Sequence, residues 1–255
     1  MTGTSIRARR FCSAASLLAL AALPVAASAQ PAKTIILVHG AWADGSSWSR
    51  VIPLLDAKGY HVTAVQLPLT SLADDAATVK RAIALEAGPV LLVAHSYGGA
   101  VITQAGNDPK VTGLVYVAAF APDAGQSVGS LNASVAPSPL AAEVKPDADG
   151  FVRISKTGIF DDFAQDLTPT ERAVLYAAEA PTNVKSLGGV IDTPAWRSKP
   201  SWYIVAAGDR AILPALEATM ARTINATTRT IKSSHLAMLS HPREVAEVIE
   251  RAAGR

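Results

Sequence analysis

The sequence predicts an α/β protein with one mostly parallel sheet of about six strands flanked by helices. Short apolar runs alternate with helical patterns up to residue 120. The alternation stops over about 121–196 and then resumes. An interruption between two strands reads as a helical cap placed over the end of the sheet where open α/β sheets bind ligands.

The elements follow in chain order. Residues 34–38, Thr-Ile-Ile-Leu-Val, are continuously apolar and β-branched, as a strand buried on both faces requires. A helix over 48–55 ends near Lys58-Gly59, and a strand follows over 61–65. The helix over 73–86 is stopped by Gly88-Pro89, after which 90–93 form a strand and Tyr97 opens a helix. The run 113–117 is the next strand. The cap that follows is rich in Ala, Pro, Ser and Asp and contains a helical piece over 170–180. The rhythm returns with a strand at 202–206, a helix at 213–222, a strand at 228–231 and a last helix at 242–253.

The first 29 residues read as a secretory leader and not as part of this fold. Arg7, Arg9 and Arg10 form a positive segment, residues 14–26 are apolar, and Ala27-Ser28-Ala29 fits a small-x-small cleavage site. The apolar run is short for a membrane span and is interrupted by Pro24. Arg9-Arg10 before Phe11 hints at a twin-arginine signal, and Cys12 stands ahead of the apolar run, where no lipoprotein cysteine belongs. The expected mature domain is 30–255, in the periplasm or secreted, with no stable membrane anchor.

Export alters the charge argument. The chain carries 23 basic and 21 acidic residues, and loss of the leader's arginines leaves a nearly neutral domain with no basic surface for nucleic acid. Its single cysteine, Cys12, leaves with the leader, so the domain has no disulfide, thiolate nucleophile or cysteine–metal site. About 226 residues suffice for one well-cored domain.

The most informative stretch is Ala94-His95-Ser96-Tyr97-Gly98. It joins an apolar strand to a helix and meets the pattern G-x-S-x-G with Ala94 in place of the first glycine. Such a junction holds the serine in a sharp, strained turn that lifts its hydroxyl out of the sheet edge. A serine nucleophile needs a general base oriented by an acid. Among the five histidines, His39 and His95 lie in motifs at strand ends, His61 begins a strand, and His241 precedes Pro242 at a helix start. His235 remains, in a loop between the last strand and the last helix. Asp209 follows the 202–206 strand and is the candidate acid. Asp161, Asp162 and Asp192 fall in the cap and read as solvated charges. The oxyanion hole needs two N–H donors, for which Tyr97, after the nucleophile, and Ala41, in His39-Gly40-Ala41-Trp42, are the candidates.

Ser96, Asp209 and His235 in this order, with His39-Gly40-Ala41, resemble the α/β-hydrolase superfamily over essentially the whole mature chain. His39 to Trp48, Ala94 to Gly99, 118–123 and 235–239 are similar to its branch of plant methyl esterases, hydroxynitrile lyases and bacterial esterase-like relatives. The resemblance implies the α/β-hydrolase fold with a helical cap and no metal or organic cofactor. The lyases of that branch carry a lysine after the triad histidine and a threonine where Gly40 stands. Leu236 and Gly40 therefore favour ester hydrolysis. Ser96 speaks against the dehalogenases and epoxide hydrolases of the superfamily, which need an aspartate there.

The resulting expectation is a serine esterase acting on a small-molecule carboxylic ester. Its alternatives are lactone or amide hydrolysis, perhydrolysis or lyase chemistry on the same triad, or a ligand-binding protein with little turnover. Phe120, Phe160, Phe163 and Trp196 are candidate pocket walls. Processing is tested first: protein recovered from a Gram-negative host outside the cytoplasm has the intact mass of a chain starting at Gln30. A membrane fraction retaining Met1 contradicts the leader.

Overall fold

A computed structural model describes residues 1–5 and 32–254. The charged and apolar segments of the expected leader, and its cleavage site, fall on residues 6–31 and lie outside the described residues. Among the described residues no helix is long and apolar enough to cross a membrane.

The strand sequences build two cores at once, because alternate residues of a strand face opposite sides of the sheet. In β1 (Thr34–Val38), Ile36 and Val38 enter one apolar layer and Ile35 and Leu37 the other. Helix α1 (Ile52–Asp56), preceded by a 3₁₀ turn over Gly45–Trp48, leads into β2 (His61–Ala64) and then α2 (Leu72–Leu85). β3 (Val90–Ser96) runs three residues beyond the predicted strand and is buried throughout. Helix α3 (Gly98–Ala105) follows at once, and then β4 (Val111–Ala119).

The segment after β4 holds α4 (Val128–Ala133), β5 (Val144–Pro146), β6 (Phe151–Ile154), a π-helical turn over Gly158–Phe163, and α5 (Pro169–Ala177). It ends with β7 (Thr182–Asn183) and α6 (Val184–Gly188). β5, β6 and β7 form a small antiparallel sheet, so the cap is not purely helical. Strands of two to four residues are too short to display a period-two pattern. The main fold resumes with β8 (Ser201–Ala206), α7 (Pro214–Thr223), β9 (Thr227–Ile231), α8 (Ala237–Ser240) and α9 (Pro242–Ala253).

The six-stranded sheet has the order β2-β1-β3-β4-β8-β9, and every neighbouring pair is parallel. The chain steps from β1 to β2 on one side, then crosses to β3 on the other. The switch point between β1 and β3 is where an open α/β sheet leaves a crevice at its carboxyl edge. Helices α2, α3 and α7 cover one face through Val79, Ile83, Val101, Ile102, Leu216 and Met220. Helices α1 and α9 cover the other through Leu55, Val245 and Ile249. Lys110 Nζ closes the end of α2 by donating to the carbonyls of Ala84 and Glu86 at 3.2 and 2.6 Å.

The β3–α3 junction is the tightest place in the sheet. A Cβ on Gly98 would lie 2.5 Å from the His39 carbonyl oxygen, and one on Gly99 would lie 2.2 Å from that of Phe120. Ala94, by contrast, is fully buried while keeping its register with Val38 and Tyr116, so the methyl fits where the pattern has glycine. Gly99→Ala is expected to cost about 1–3 kcal/mol, the usual range for overpacking. Gly88→Ala, with nothing within 4 Å of the added Cβ, should stay within about 0.5 kcal/mol. Chemical denaturation of both variants measures the difference, and equal midpoints would contradict the crowding at the elbow.

Candidate active site

Ser96 ends β3 with φ at +52°, in the left-handed region. A non-glycine residue rarely adopts that conformation, and the surroundings must hold it there. They do so from both sides: a Cβ on Gly40 would stand 2.7 Å from Ser96 Cβ, and Phe120 N–H donates to the Ser96 carbonyl at 3.1 Å. Ser96 is thus clasped between the loop after β1 and the end of β4.

Asp209 and His235 come from the loops after β8 and β9, and parallel pairing puts those loops side by side. Asp209 Oδ1 accepts from the N–H groups of Ala211 and Ile212 at 2.7 and 2.9 Å. Its Oδ2 meets His235 Nδ1 at 2.5 Å. One carboxylate therefore serves both as a turn cap and as the partner of the imidazole. Both side chains are almost fully buried.

Two rings flank the His235 imidazole, His95 with centroids 4.5 Å away and Phe163 at 5.0 Å. His95 Nε2–H donates to the His235 carbonyl at 3.0 Å, which fixes the loop that carries His235. Burial, and after it the charge of His235, holds the His95 imidazole well below its ordinary range. His39 is held below its ordinary value chiefly by burial as well. It accepts from Leu67 N–H at Nε2 (2.9 Å) and donates from Nδ1 to the Gly40 carbonyl (2.8 Å), so it braces the loop after β1. His61 stays at the exposed start of β2, and His241 pairs with Ser240 Oγ at 2.9 Å.

Ser96 and His235 open on one cavity of about 570 Å³, whose wall also includes Ala41 and Tyr97. No direct hydrogen bond joins Ser96 to His235, and such contacts commonly tighten only when substrate binds. Among the described residues, neither the Ala41 nor the Tyr97 N–H donates to another group of the chain, whereas the next donor, Trp42 N–H, is taken by Thr182 Oγ1 at 3.1 Å. Four of the predicted residues, Ser96, His235, Ala41 and Tyr97, thus line one cavity, and Asp209 meets it only through His235. The rest of its wall is mainly apolar, with Phe120, Val128, Val135, Leu187, Leu213 and Leu216, and it contains no Lys, Arg, Asp or Glu. No group of three or more His, Cys, Asp or Glu among the described residues is arranged to hold a metal ion.

Several expectations need correction. Of the four aromatic residues that were candidates for the wall, only Phe120 lines the cavity. Phe163 supports His235 from behind, Phe160 lies beneath Lys156 and Arg172, and Trp196 Nε1 donates to the Pro122 carbonyl. Asp162 is not a solvated charge: it is buried and accepts from Arg210 Nε at 2.6 Å. Leu236 is buried in the apolar core and is absent from the cavity wall, so the contrast with the lyases does not act through this cavity's lining.

The sequence also left positioning contacts unrecognised. Gln165 donates to the Gly208 carbonyl at 2.6 Å, and Asp166 accepts from Ser234 N–H at 2.7 Å. With Asp162, these clamp the cap against both the acid and the histidine loops. Tyr97 OH donates to buried Asp75 at 2.5 Å, and Ser186 of α6 reaches the same oxygen at 3.2 Å. Trp42 Nε1 donates to the Val152 carbonyl at 3.0 Å, which ties the loop after β1 to the cap sheet. A buried tyrosine hydroxyl requires a polar partner, and that is the signal which could have pointed to Asp75.

Known proteins share the family and the fold of this chain. Methylesterase 7 of Arabidopsis thaliana is 36% identical over 108 residues, covering 36% of this chain and 41% of the relative. A carbendazim hydrolyzing esterase of Nocardioides sp. (strain SG-4G) is 33% identical over 125 residues, covering 42% and 50%. The chain therefore aligns with half or less of the length of these relatives. The crystal structure of polyneuridine aldehyde esterase shares the fold with a TM-score of 0.74, at 20% identity over 85% of this chain and 97% of that one. A match to the alpha/beta hydrolase family extends over residues 35–248, from β1 through the elbow and both loops into α9, and the chain belongs to that family.

Proposed function

We propose that this protein hydrolyses carboxylic esters through an acyl-Ser96 intermediate. The observation that carries the reading is the Asp209–His235 pair beside a strained serine, on a cavity bordered by two uncommitted N–H groups. Relatives named as a methylesterase and a carbendazim hydrolyzing esterase support the same reaction class.

Ser96 Oγ attacks the ester carbonyl carbon as its proton passes to His235 Nε2. Asp209 holds the imidazole by Nδ1 and stabilises the imidazolium. The negative charge that forms on the carbonyl oxygen is held by the N–H groups of Ala41 and Tyr97. The tetrahedral species collapses, the C–O bond to the alcohol breaks, and the departing oxygen takes the proton from His235. Water then gives a proton to His235 and its oxygen attacks the acyl carbon. Release of the acid returns that proton to Ser96.

The wall indicates the kind of ester. An apolar cavity without a charged side chain offers no partner to a carboxylate or an ammonium, so an ionised acyl group would be desolvated unpaired. The substrate is an uncharged, largely apolar ester. We also infer export, on the leader pattern of residues 1–29.

A fluorophosphonate probe should label one serine, and Ser96→Ala should abolish labelling and lower turnover by several powers of ten. Labelling that survives would mean that another serine is the nucleophile. Against p-nitrophenyl esters, the butyrate should exceed the singly charged succinate in kcat/KM by about tenfold or more, each 1.4 kcal/mol of unpaired charge burial being a factor of ten. Equal rates would place the acyl group outside the cavity.

A further inference from the structure

One buried titratable group near the site has no place in the mechanism above. Glu217, on α7, is wholly inaccessible to solvent. Its Oε2 accepts the N–H of Ala206, the last residue of β8, at 2.9 Å. Its Oε1 meets no N–H or hydroxyl donor, and Asp209, whose own N–H donates to the carbonyl of the same Ala206 at 3.1 Å, is the carboxylate that faces it. The charged or titratable groups that face it are Asp209, on the loop after β8, and Tyr203, on β8 itself. Tyr203 OH donates to the Ala119 carbonyl. No lysine or arginine pairs with Glu217 among the described residues.

Two buried carboxylates facing each other without a cation are far more costly than a carboxylate facing a carboxylic acid. Asp209 has two backbone N–H donors and an imidazole to hold its charge, whereas Glu217 has a single N–H. The proton of the pair therefore belongs on Glu217. A protonated carboxyl is a donor, and Glu217 has one oxygen left without a partner to carry the proton.

We propose that Glu217 is a positioning residue, a permanently neutral acid that donates a hydrogen bond to Asp209 and so fixes the carboxylate that orients His235. The inference rests on the Ser96–His235–Asp209 reading above. Burial first, and then the charge of Asp209, pushes the Glu217 carboxyl well above the ordinary carboxylate range, in the direction the geometry demands. The device is a carboxyl kept protonated in a dry site so that it can donate. It also accounts for an acid in the apolar interior with no basic partner.

Glutamine tests this directly, because a neutral amide can accept from Ala206 and donate to Asp209 in the same way. Glu217→Gln should keep kcat/KM within about threefold, with the acid limb of the pH profile unmoved. Glu217→Leu removes the donor and should lower kcat by about tenfold or more with KM little changed. The resting protein should show the infrared C=O band of a protonated carboxyl at mildly alkaline pH, lost in Glu217→Gln. A downward shift of the acid limb in the glutamine variant would show that a charge had been removed, and would overturn the proposal. So would the absence of that infrared band. The band needs no turnover and is read even if the leucine variant fails to fold. An error in the nucleophile appears separately, as turnover that survives Ser96→Ala.

Discussion

Everything in the site depends on how closely the backbone packs around Ser96. The left-handed turn at this residue is possible only because the loop after β1 and the end of β4 come nearly into van der Waals contact with it. Gly40, Gly98 and Gly99 are there because any side chain would collide with Ser96, His39 or Phe120. The crowding has a chemical consequence. It brings Ala41 and Tyr97 to the same cavity wall as Ser96, so the proposed nucleophile and the candidate oxyanion donors are set by a single packing event. Backbone strain at a functional position persists only where the neighbourhood over-determines it, and here two strands and a helix do so.

The cap holds the site together as well as covering it. Its π-helical turn and the residues after it touch the Asp209 loop through Arg210 and Gly208, and the His235 loop through Ser234 and the His235 ring. Its small sheet holds Trp42 at two points, through Thr182 and Val152. Each of these loops is thus fastened on one side to the sheet and on the other to the cap. Substitutions in the cap outside the cavity wall can reach the imidazole through these contacts.

The fold was legible because the central strands β1, β3, β4 and β8 are continuous apolar runs that alternate with helices, and because the G-x-S-x-G pattern, Asp209 and His235 each sit at the end of a strand. Parallel topology then places their loops together without further information. The cap was less legible. Its strands are too short to show periodicity, and a buried aspartate such as Asp162 cannot be told from a solvated one until its partner Arg210 is seen 48 positions away. Phe160, Phe163 and Trp196 are equally aromatic on paper, and their different fates follow from packing alone. Leu236 shows the same limit: its neighbour His235 faces the cavity, while its own side chain turns into the core.

The central claim is that acyl transfer passes through Ser96. Rapid quenching during turnover of a slowly deacylated ester, followed by peptide mass analysis, tests it at the level of the bond. The account predicts one acyl group per protein molecule, on the peptide that contains Ser96, formed at the rate of alcohol release and lost at the rate of acid release. An acyl group on any other residue, or turnover with no acyl-protein at all, would contradict it.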